Sequence, residues 1–332
     1  MIGIAVLVRL GRDTGPPPEA RPVGRAALAA AREGIRVVFS DVLREGRATG
    51  SEPIPGGWRA VEDVPVVACY DRYPSFSHRQ GWLALLRDAG DLPVGNPPAL
   101  TELCRDKAAC QRVLEAAGLP VPPQETRPER FGKALAAWGA GFLKPRHGTL
   151  GAGVRRVVWS DPLPEAGAEA EPLLLQQAVT PPPGAAGTCV RVLVQRREDG
   201  GWTVPSQVLR WSPDDPVANA ARGAVLRPVE EVLPGASDRL ADLALAASRA
   251  LAADHPAALE LGVDVVPDSG GGLWVIEVNA KPLGRLEGLA RLDPERFEAA
   301  HREACLRPFR RLAAWVRRSG EGRGDPTNLR IP

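Results

Sequence analysis

The chain has 332 residues, 44% of them hydrophobic and 25% charged, which is enough for two or three packed lobes around a sizeable core. Its 42 basic and 40 acidic side chains leave a net charge of +2, which argues against a nucleic-acid partner. Cys69, Cys104, Cys110, Cys189 and Cys305 show no CxxC spacing. They argue against a disulfide framework or a zinc site and fit a reducing cytosol.

The first apolar run, Ile2 to Val8, reads as a buried strand and is too short to span a bilayer. No other stretch reaches transmembrane length, so the expectation is a cytoplasmic protein with no membrane partner. An alanine-rich helix over Gly24 to Glu33 is stopped by Gly34, and a second strand covers Ile35 to Phe39. A third apolar run, Val64 to Tyr70, leads into Asp71-Arg72-Tyr73-Pro74, followed by a helix around Trp82 to Arg87. Alternating strands and helices predict an α/β domain over residues 1–97 with a parallel sheet. The missing GxGxxG argues against a dinucleotide-binding dehydrogenase.

One helix is expected from Leu100 to Ala117, closed by Gly118 and Pro120. Cys104 and Cys110, six apart on it, read as packing residues. Strands follow at Phe142 to Pro145, Val154 to Trp159 and Leu173 to Val179, with a surface loop or short helix over Ser160 to Pro172. Val190 to Arg196 and Trp202 to Leu209 flank Glu198-Asp199-Gly200-Gly201, a hairpin signal. A helix over Ser237 to Ala253 precedes strands Ala258 to Val266 and Leu273 to Val278. A basic helix over Pro294 to Arg317 ends the fold, its arginines 307, 310, 311, 317 and 318 forming a solvated face. Residues 319–332 are expected to be a flexible tail. The boundaries are 1–97 for the first domain, 98–175 for a linker helix and small lobe, and 176–318 for a C-terminal lobe.

Only four of the basic residues are lysine (Lys107, Lys133, Lys144 and Lys281), so each invites a reason. Lys144 ends a strand and is followed by Pro-Arg-His-Gly-Thr-Leu-Gly-Ala-Gly, with glycines at 148, 151 and 153. Such a loop can close its N–H groups over phosphates, although a plain tight turn would use the same residues. It is not a Walker A loop. His147 within it reads as an exposed loop histidine. Asp264 on one strand and Glu277 and Asn279 on the next offer oxygen donors of the kind Mg²⁺ prefers. Glu277 and Asn279 share a face, and Ile276 and Val278 are expected to face the core. An ordinary half-exposed strand is the alternative, but a lone carboxylate on a buried strand is costly. Arg191 lies inside an apolar strand and calls for an anionic partner, and Arg210 is placed at the end of the next strand.

The ordered set Asn96, Asp106-Lys107, Lys144-Pro with its glycine loop, Gln176-Gln177, Arg191, Arg210, Asn219, Asp264 and Glu277-Val-Asn279 resembles the ATP-grasp superfamily, on the glutathione synthetase and RimK side. Tyr70-Asp-Arg-Tyr-Pro-Ser, Arg191-Val-Leu-Val-Gln, Gly-Trp202-Thr-Val and Glu277-Val-Asn-Ala-Lys-Pro282 are similar to the endospore coat-associated YheC/YheD branch. The resemblance implies an ATP-grasp fold, α/β with α+β lobes, behind an N-terminal α/β domain. It implies that Lys107, Lys144, Gly148, Gly151, Gly153 and Arg191 bind ATP phosphates. Gln176 and Gln177, with the backbone at Ala178 and Val179, would reach the adenine. Asp264, Glu277 and Asn279 would hold one or two Mg²⁺, with Mn²⁺ as a substitute, and Arg210 and Asn219 would serve catalysis. The implied activity is an ADP-forming ligase that joins a small-molecule or peptide carboxylate to an amine through an acyl phosphate, in a protein that could form a homodimer. An ATP-binding spore-coat protein with little turnover is the second expectation. Two positions depart from the family pattern: Cys189 stands where an acidic residue is usual, and Pro181 to Pro183 follow the adenine strand.

Overall fold

A computed structural model describes residues 1–10, 21–148, 151–164, 171–282 and 286–321. The N-terminal domain holds β1 (Ile2–Leu7), α1 (Arg21–Arg32), β2 (Ile35–Arg44), β3 (Arg47–Ile54), β4 (Gly57–Pro65), β5 (Ala68–Asp71), α2 (Arg79–Ala89) and β6 (Val94–Gly95). Its sheet runs β4-β3-β2-β1-β5-β6, and β1, β2, β5 and β6 are parallel, as alternation predicts. The antiparallel β3–β4 hairpin was not expected, and the run read as one strand is the end of β4 plus β5. β4 lacks apolar alternation because most of its side chains face solvent, and Trp58 alone packs edge-on against Phe39.

The expected single linker helix is two helices, α3 (Pro98–Arg105) and α4 (Lys107–Ala116). Asp106 leaves helical geometry and caps α4, its carboxylate accepting from the amides of Ala108 and Ala109 at 3.1 Å. The small lobe adds β7 (Gln124–Glu125), α5 (Phe131–Trp138), β8 (Ala140–Pro145), β9 (Arg155–Val158) and β10 (Leu173–Gln177), ordered β7-β10-β8-β9. Phe131, Leu135, Leu143, Val157 and Leu175 form its core. A boundary at 175/176 therefore cuts through β10, whose strand pairings are with β7 and β8.

The third sheet runs β13 (Val225–Arg227), β12 (Trp202–Ser212), β11 (Gly187–Arg196), β14 (Glu260–Pro267), β15 (Leu273–Asn279), all antiparallel. Helices α6 (Val229–Val232) and α7 (Ser237–Leu251) precede β14, and α8 (Glu287–Leu292) and α9 (Pro294–Glu321) follow β15. α7 packs its buried Leu240, Ala244, Ala247 and Leu251 against Val192, Val194, Leu261 and Val263. β12 runs past Leu209, so Arg210 lies within the strand.

α9 was assigned to the C-terminal lobe, yet its Cys305, Leu306, Phe309 and Leu312 share a core with Ile4, Val6, Phe39 and Tyr70. Of the five arginines expected on a solvated face, Arg317 and Arg318 are exposed, but the other three are at least partly buried. Arg310 bridges Glu33 and Glu303, while Arg311 is buried and, with Arg318, donates to the Glu198 carbonyl. The helix continues through Glu321, and the rest of the expected tail, 322–332, lies outside the described residues. Among the described residues no helix is long and apolar enough to cross a membrane.

Candidate functional site

The linker helices, the small lobe and the C-terminal lobe bring residues far apart in sequence to one cleft. Lys144 sits at the end of β8 with its ammonium 2.5 Å from Gln176 Oε1 on β10. Gln176 Nε2 donates to Gln111 Oε1 on α4 at 3.1 Å, and Gln111 Nε2 donates to the Pro122 carbonyl at 2.9 Å. The lysine is buried, and that burial pulls its pKa down to about 8. Glu277 and Asp264 draw it back up and Lys107 pushes it further down, so the four charges share one electrostatic environment.

Lys107, first residue of α4, donates to the Gly148 carbonyl, which holds the glycine loop down on the cleft. Arg146 stabilises the same junction by gripping Asp106 with two bonds of 2.8 and 2.6 Å. Its hydrogen bonds hold the Asp106 carboxyl at about 2. His147 is not an exposed loop histidine, since its Nδ1 lies 2.5 Å from Glu171 Oε1. Gly151 and Gly153 both have positive φ, +72° and +68°, which a side chain would strain. A Cβ at Gly151 would stand 3.1 Å from Asn219 Nδ2, so the far side of the loop meets Asn219. Thr149 and Leu150 lie outside the described residues.

Across the cleft, Asp264 on β14 is directly opposite Glu277 on β15 and Arg191 on β11. Gly262 stands opposite Asn279, so Asp264, Glu277 and Asn279 present oxygens on one face. The register slips between Asp264 and Val265, making Ile276 an extra residue. Hence Val275 and Val278 are the buried pair, and Ile276, expected in the core, is half-buried. Arg191 Nε and Nη2 hold Asp264 at 2.5 and 2.8 Å, and Arg210 Nη1 lies 3.6 Å away. Burial would raise the Asp264 carboxyl, but Arg191 and then Arg210 keep it below the usual carboxylate range. Arg191 itself is raised, its burial outweighed by Asp264. Cys189, two residues before Arg191, lies on the same face, and burial, with the Asp264 charge beside it, pushes its thiol up to about 12.

Among the described residues no three His, Cys, Asp or Glu side chains gather into a metal cluster. The donor set here is two carboxylates and an amide, all hard oxygens, which fits an Mg²⁺ whose remaining ligands come from phosphates and water. At the segment expected to meet adenine, the amides of Gln177 and Ala178 donate to the carbonyls of Pro123 and Ala140, at 2.8 and 3.0 Å. The Ala178 N–H is therefore spent on the sheet, and Gln176 is turned to Lys144.

Sequence reasoning missed two features. The break at Asp106 brings Cys104 and Cys110 together in one core, and both line a small pocket with Lys107, Gln111 and Glu277. A larger cavity, about 570 Å³, lies away from this cleft, between α1, the β3–β4 hairpin and helices α8 and α9. It contains none of the residues above.

Residues 165–302 match the family model described as YheC/D like ATP-grasp. No curated protein matches the sequence. Solved structures that share the fold include the following. D-alanyl-alanine synthetase A from Vibrio cholerae is 14% identical with a TM-score of 0.57, covering 93% of this chain and 98% of its own. The ATP-grasp ligase PsnB, complexed with precursor peptide PsnA2 and AMPPNP, is 19% identical with a TM-score of 0.58, covering 94% and 98%. The Chryseobacterium gregarium RiPP-associated ATP-grasp ligase, in complex with ADP and a leader and core peptide, is 11% identical with a TM-score of 0.57, covering 92% and 96%.

Proposed function

From an ATP-grasp fold with a YheC/D-like stretch over residues 165–302, we propose that the protein is a Mg·ATP-dependent ligase. It would activate a carboxylate as an acyl phosphate and pass the acyl group to an amine or related nucleophile, releasing ADP and phosphate. The observation that supports this most is Lys144, a buried ammonium that burial drives down to about 8 beside Lys107, Glu277 and Asp264. A protein has little reason to bury a cation at this cost unless an anion of the size of a phosphate completes the site.

In this reading Lys107 and Lys144 grip the phosphates, and the amides of the loop at Gly148, Gly151 and Gly153 close over them. Lys107 then exchanges the Gly148 carbonyl for a phosphate oxygen. The end of β10 at Gln176 and Gln177, with the Ala178–Val179 segment after it, would border the adenine, with Val179 rather than the Ala178 amide reading its edge. Asp264, Glu277 and Asn279 would hold one or two Mg²⁺, or Mn²⁺ in its place, supplying charge neutralisation at the phosphates. Arg191 keeps Asp264 ionised and aimed. Arg210 and Asn219 would stabilise the transferring phosphoryl and the acyl group, so that positioning and charge carry the catalysis. Candidate substrates include peptides beside small molecules, a reading supported by two structural neighbours bound to precursor or leader and core peptides. A cytoplasmic location and a homodimer belong to the same proposal.

Cys189 favours a second reading, an ATP-binding protein with little turnover. A neutral thiol stands where the family pattern has an acidic residue, leaving the face one carboxylate short. The first test is a melting curve with AMPPNP, with and without Mg²⁺. Nucleotide at a hundred times its Kd should add about 2.7 kcal/mol of stability, more with the metal than without. No shift at millimolar nucleotide would sink both readings.

A further inference from the structure

Three consecutive residues at the exit of β15 are each tied to the N-terminal domain. The Ala280 carbonyl accepts from Asn96 Nδ2, and the Pro282 carbonyl accepts from Arg72 Nη2 at 2.9 Å. Between them, Lys281 Nζ lies 2.8 Å from Asp71 Oδ2 and donates to the Tyr73 carbonyl at 2.9 Å and to Ser75 Oγ at 3.3 Å. The Trp82 ring lies beside the ammonium, 4.8 Å to its centroid. Trp82 Nε1 also donates to Asp71 Oδ2 at 2.8 Å, and the Tyr73 amide donates to Oδ1 at 3.0 Å. The Asp71 side chain is fully buried and that of Lys281 is 16% exposed. A pair this dry holds only because every polar atom of it is met, and removing one partner would strand the other charge.

The second metal strand is anchored at the same place. Arg72 also donates to Glu260 at 3.1 Å, and Asn96 Nδ2 donates to the Glu260 carbonyl at 2.7 Å. Glu260 lies four residues before Asp264, on the same face of β14. Both strands that carry the oxygen donors therefore meet the N-terminal domain at one buried polar junction.

We infer that Lys281 is a positioning residue: with Asp71 it fixes the exit of β15 to the N-terminal domain and so sets where Glu277 and Asn279 present their oxygens. This rests on the metal role proposed above. Asn279 is two residues from Lys281, at most about 7 Å of chain, so a displacement of the ammonium has little slack to disappear into. Lys107, Lys144 and the glycine loop are held by other contacts, on α4, β8 and β10. The effect therefore falls on the metal and not on nucleotide binding as such.

The experiment measures Mn²⁺ binding by paramagnetic resonance in the presence of AMPPNP, and AMPPNP binding separately in chelator. The parent comes first, because a parent that binds no Mn²⁺ defeats the metal reading itself. In Lys281→Met, Mn²⁺ affinity should fall about tenfold or more, the range seen when residues that support metal ligands are lost. Chelator-side nucleotide affinity should match the parent, and Lys281→Arg should recover part of the loss. If Lys281→Met does not fold, Lys281→Met combined with Asp71→Asn removes both charges, keeps the volume and leaves Trp82 an acceptor. Parent-like Mn²⁺ affinity in a folded variant would overturn the inference. So would an equal loss of metal-free nucleotide binding, or failure of both variants to fold, which would make Lys281 a structural staple.

Discussion

Replacing Lys144 with methionine separates a ligand-binding lysine from a structural one. The side chain keeps nearly its volume, so the β8–β10 packing should persist. Burial moves the lysine from 10.5 to about 8, so at neutral pH the folded protein carries a penalty of roughly 3 kcal/mol for this charge. The sign is fixed by the direction of that shift. The penalty is fully present below about 8 and disappears as the pH rises through the unfolded value. Methionine removes it but leaves Gln176 Oε1, now 2.5 Å from the ammonium, without its donor, at a cost of about 1–3 kcal/mol. The two effects nearly cancel, and the unliganded variant should melt close to the parent. Binding should not be spared. A charge-assisted hydrogen bond to phosphate contributes about 1.5–3 kcal/mol, so the Kd for ADP should rise roughly tenfold to a hundredfold. Calorimetric titration with ADP, paired with a melting curve, reads both. Parent-like affinity would show that Lys144 touches no phosphate, and a collapsed melting temperature would show that it was holding the lobe together.

The same depressed pKa predicts a proton coupling: nucleotide phosphates should raise Lys144 again, so affinity should fall as pH rises above about 8. Titrations in buffers of different ionisation enthalpy should show proton uptake at pH 8.5 in the parent and none from this group in Lys144→Met, while flat affinity across that range would refute the coupling. Asp106→Ala removes the α4 cap and the Arg146 pair, and should lower stability in a denaturant melt by about 1–2 kcal/mol. Asp106→Asn, which keeps a capping oxygen, should lose less, and equal losses would mean that the cap is not what the carboxylate supplies. Because the Asp106 carboxyl is held at about 2 against 3.8 unfolded, its stabilisation should be complete above the unfolded value and vanish as the pH falls through about 2.

Much of this fold is legible because buried strands leave simple marks. The runs at Leu173, Val190, Ala258 and Leu273 sit where β10, β11, β14 and β15 form, and the turn at Asp199-Gly200 joins β11 to β12. The lysines stand out because the chain otherwise uses arginine. Other features depend on partners that local pattern does not contain. Nothing in Leu103 to Ala109 disfavours a continuous helix. The break at Asp106 is set by Arg146, forty residues later, and by the Lys107 amide donating to the Arg146 carbonyl at 3.1 Å. Once broken, the two helices bring Cys104 and Cys110 into one core, a juxtaposition that i, i+6 spacing on one helix would forbid. The slip at Ile276 leaves no trace in an apolar sequence, and the docking of Phe309 against Tyr70 is a property of the assembled core. Arg72, inside the Tyr70-Asp-Arg-Tyr-Pro-Ser motif, pairs with the buried Glu260 nearly two hundred residues later, a partner no local pattern shows.

The central claim is that the γ-phosphate of Mg·ATP goes to a carboxylate, and oxygen labelling tests it most directly. A panel of small-molecule acids and carboxylate-bearing peptides, labelled with heavy oxygen, is incubated with the protein, Mg·ATP and candidate amines, and the released phosphate is examined by mass spectrometry. The account predicts ADP release accompanied by phosphate carrying one heavy oxygen, with the amide as second product. In a folded Glu277→Gln variant the rate should fall by about two orders of magnitude or more. ADP release with wholly unlabelled phosphate would mean that water, not a carboxylate, receives the phosphoryl group, and parent-like turnover in Glu277→Gln would remove the metal site from the account.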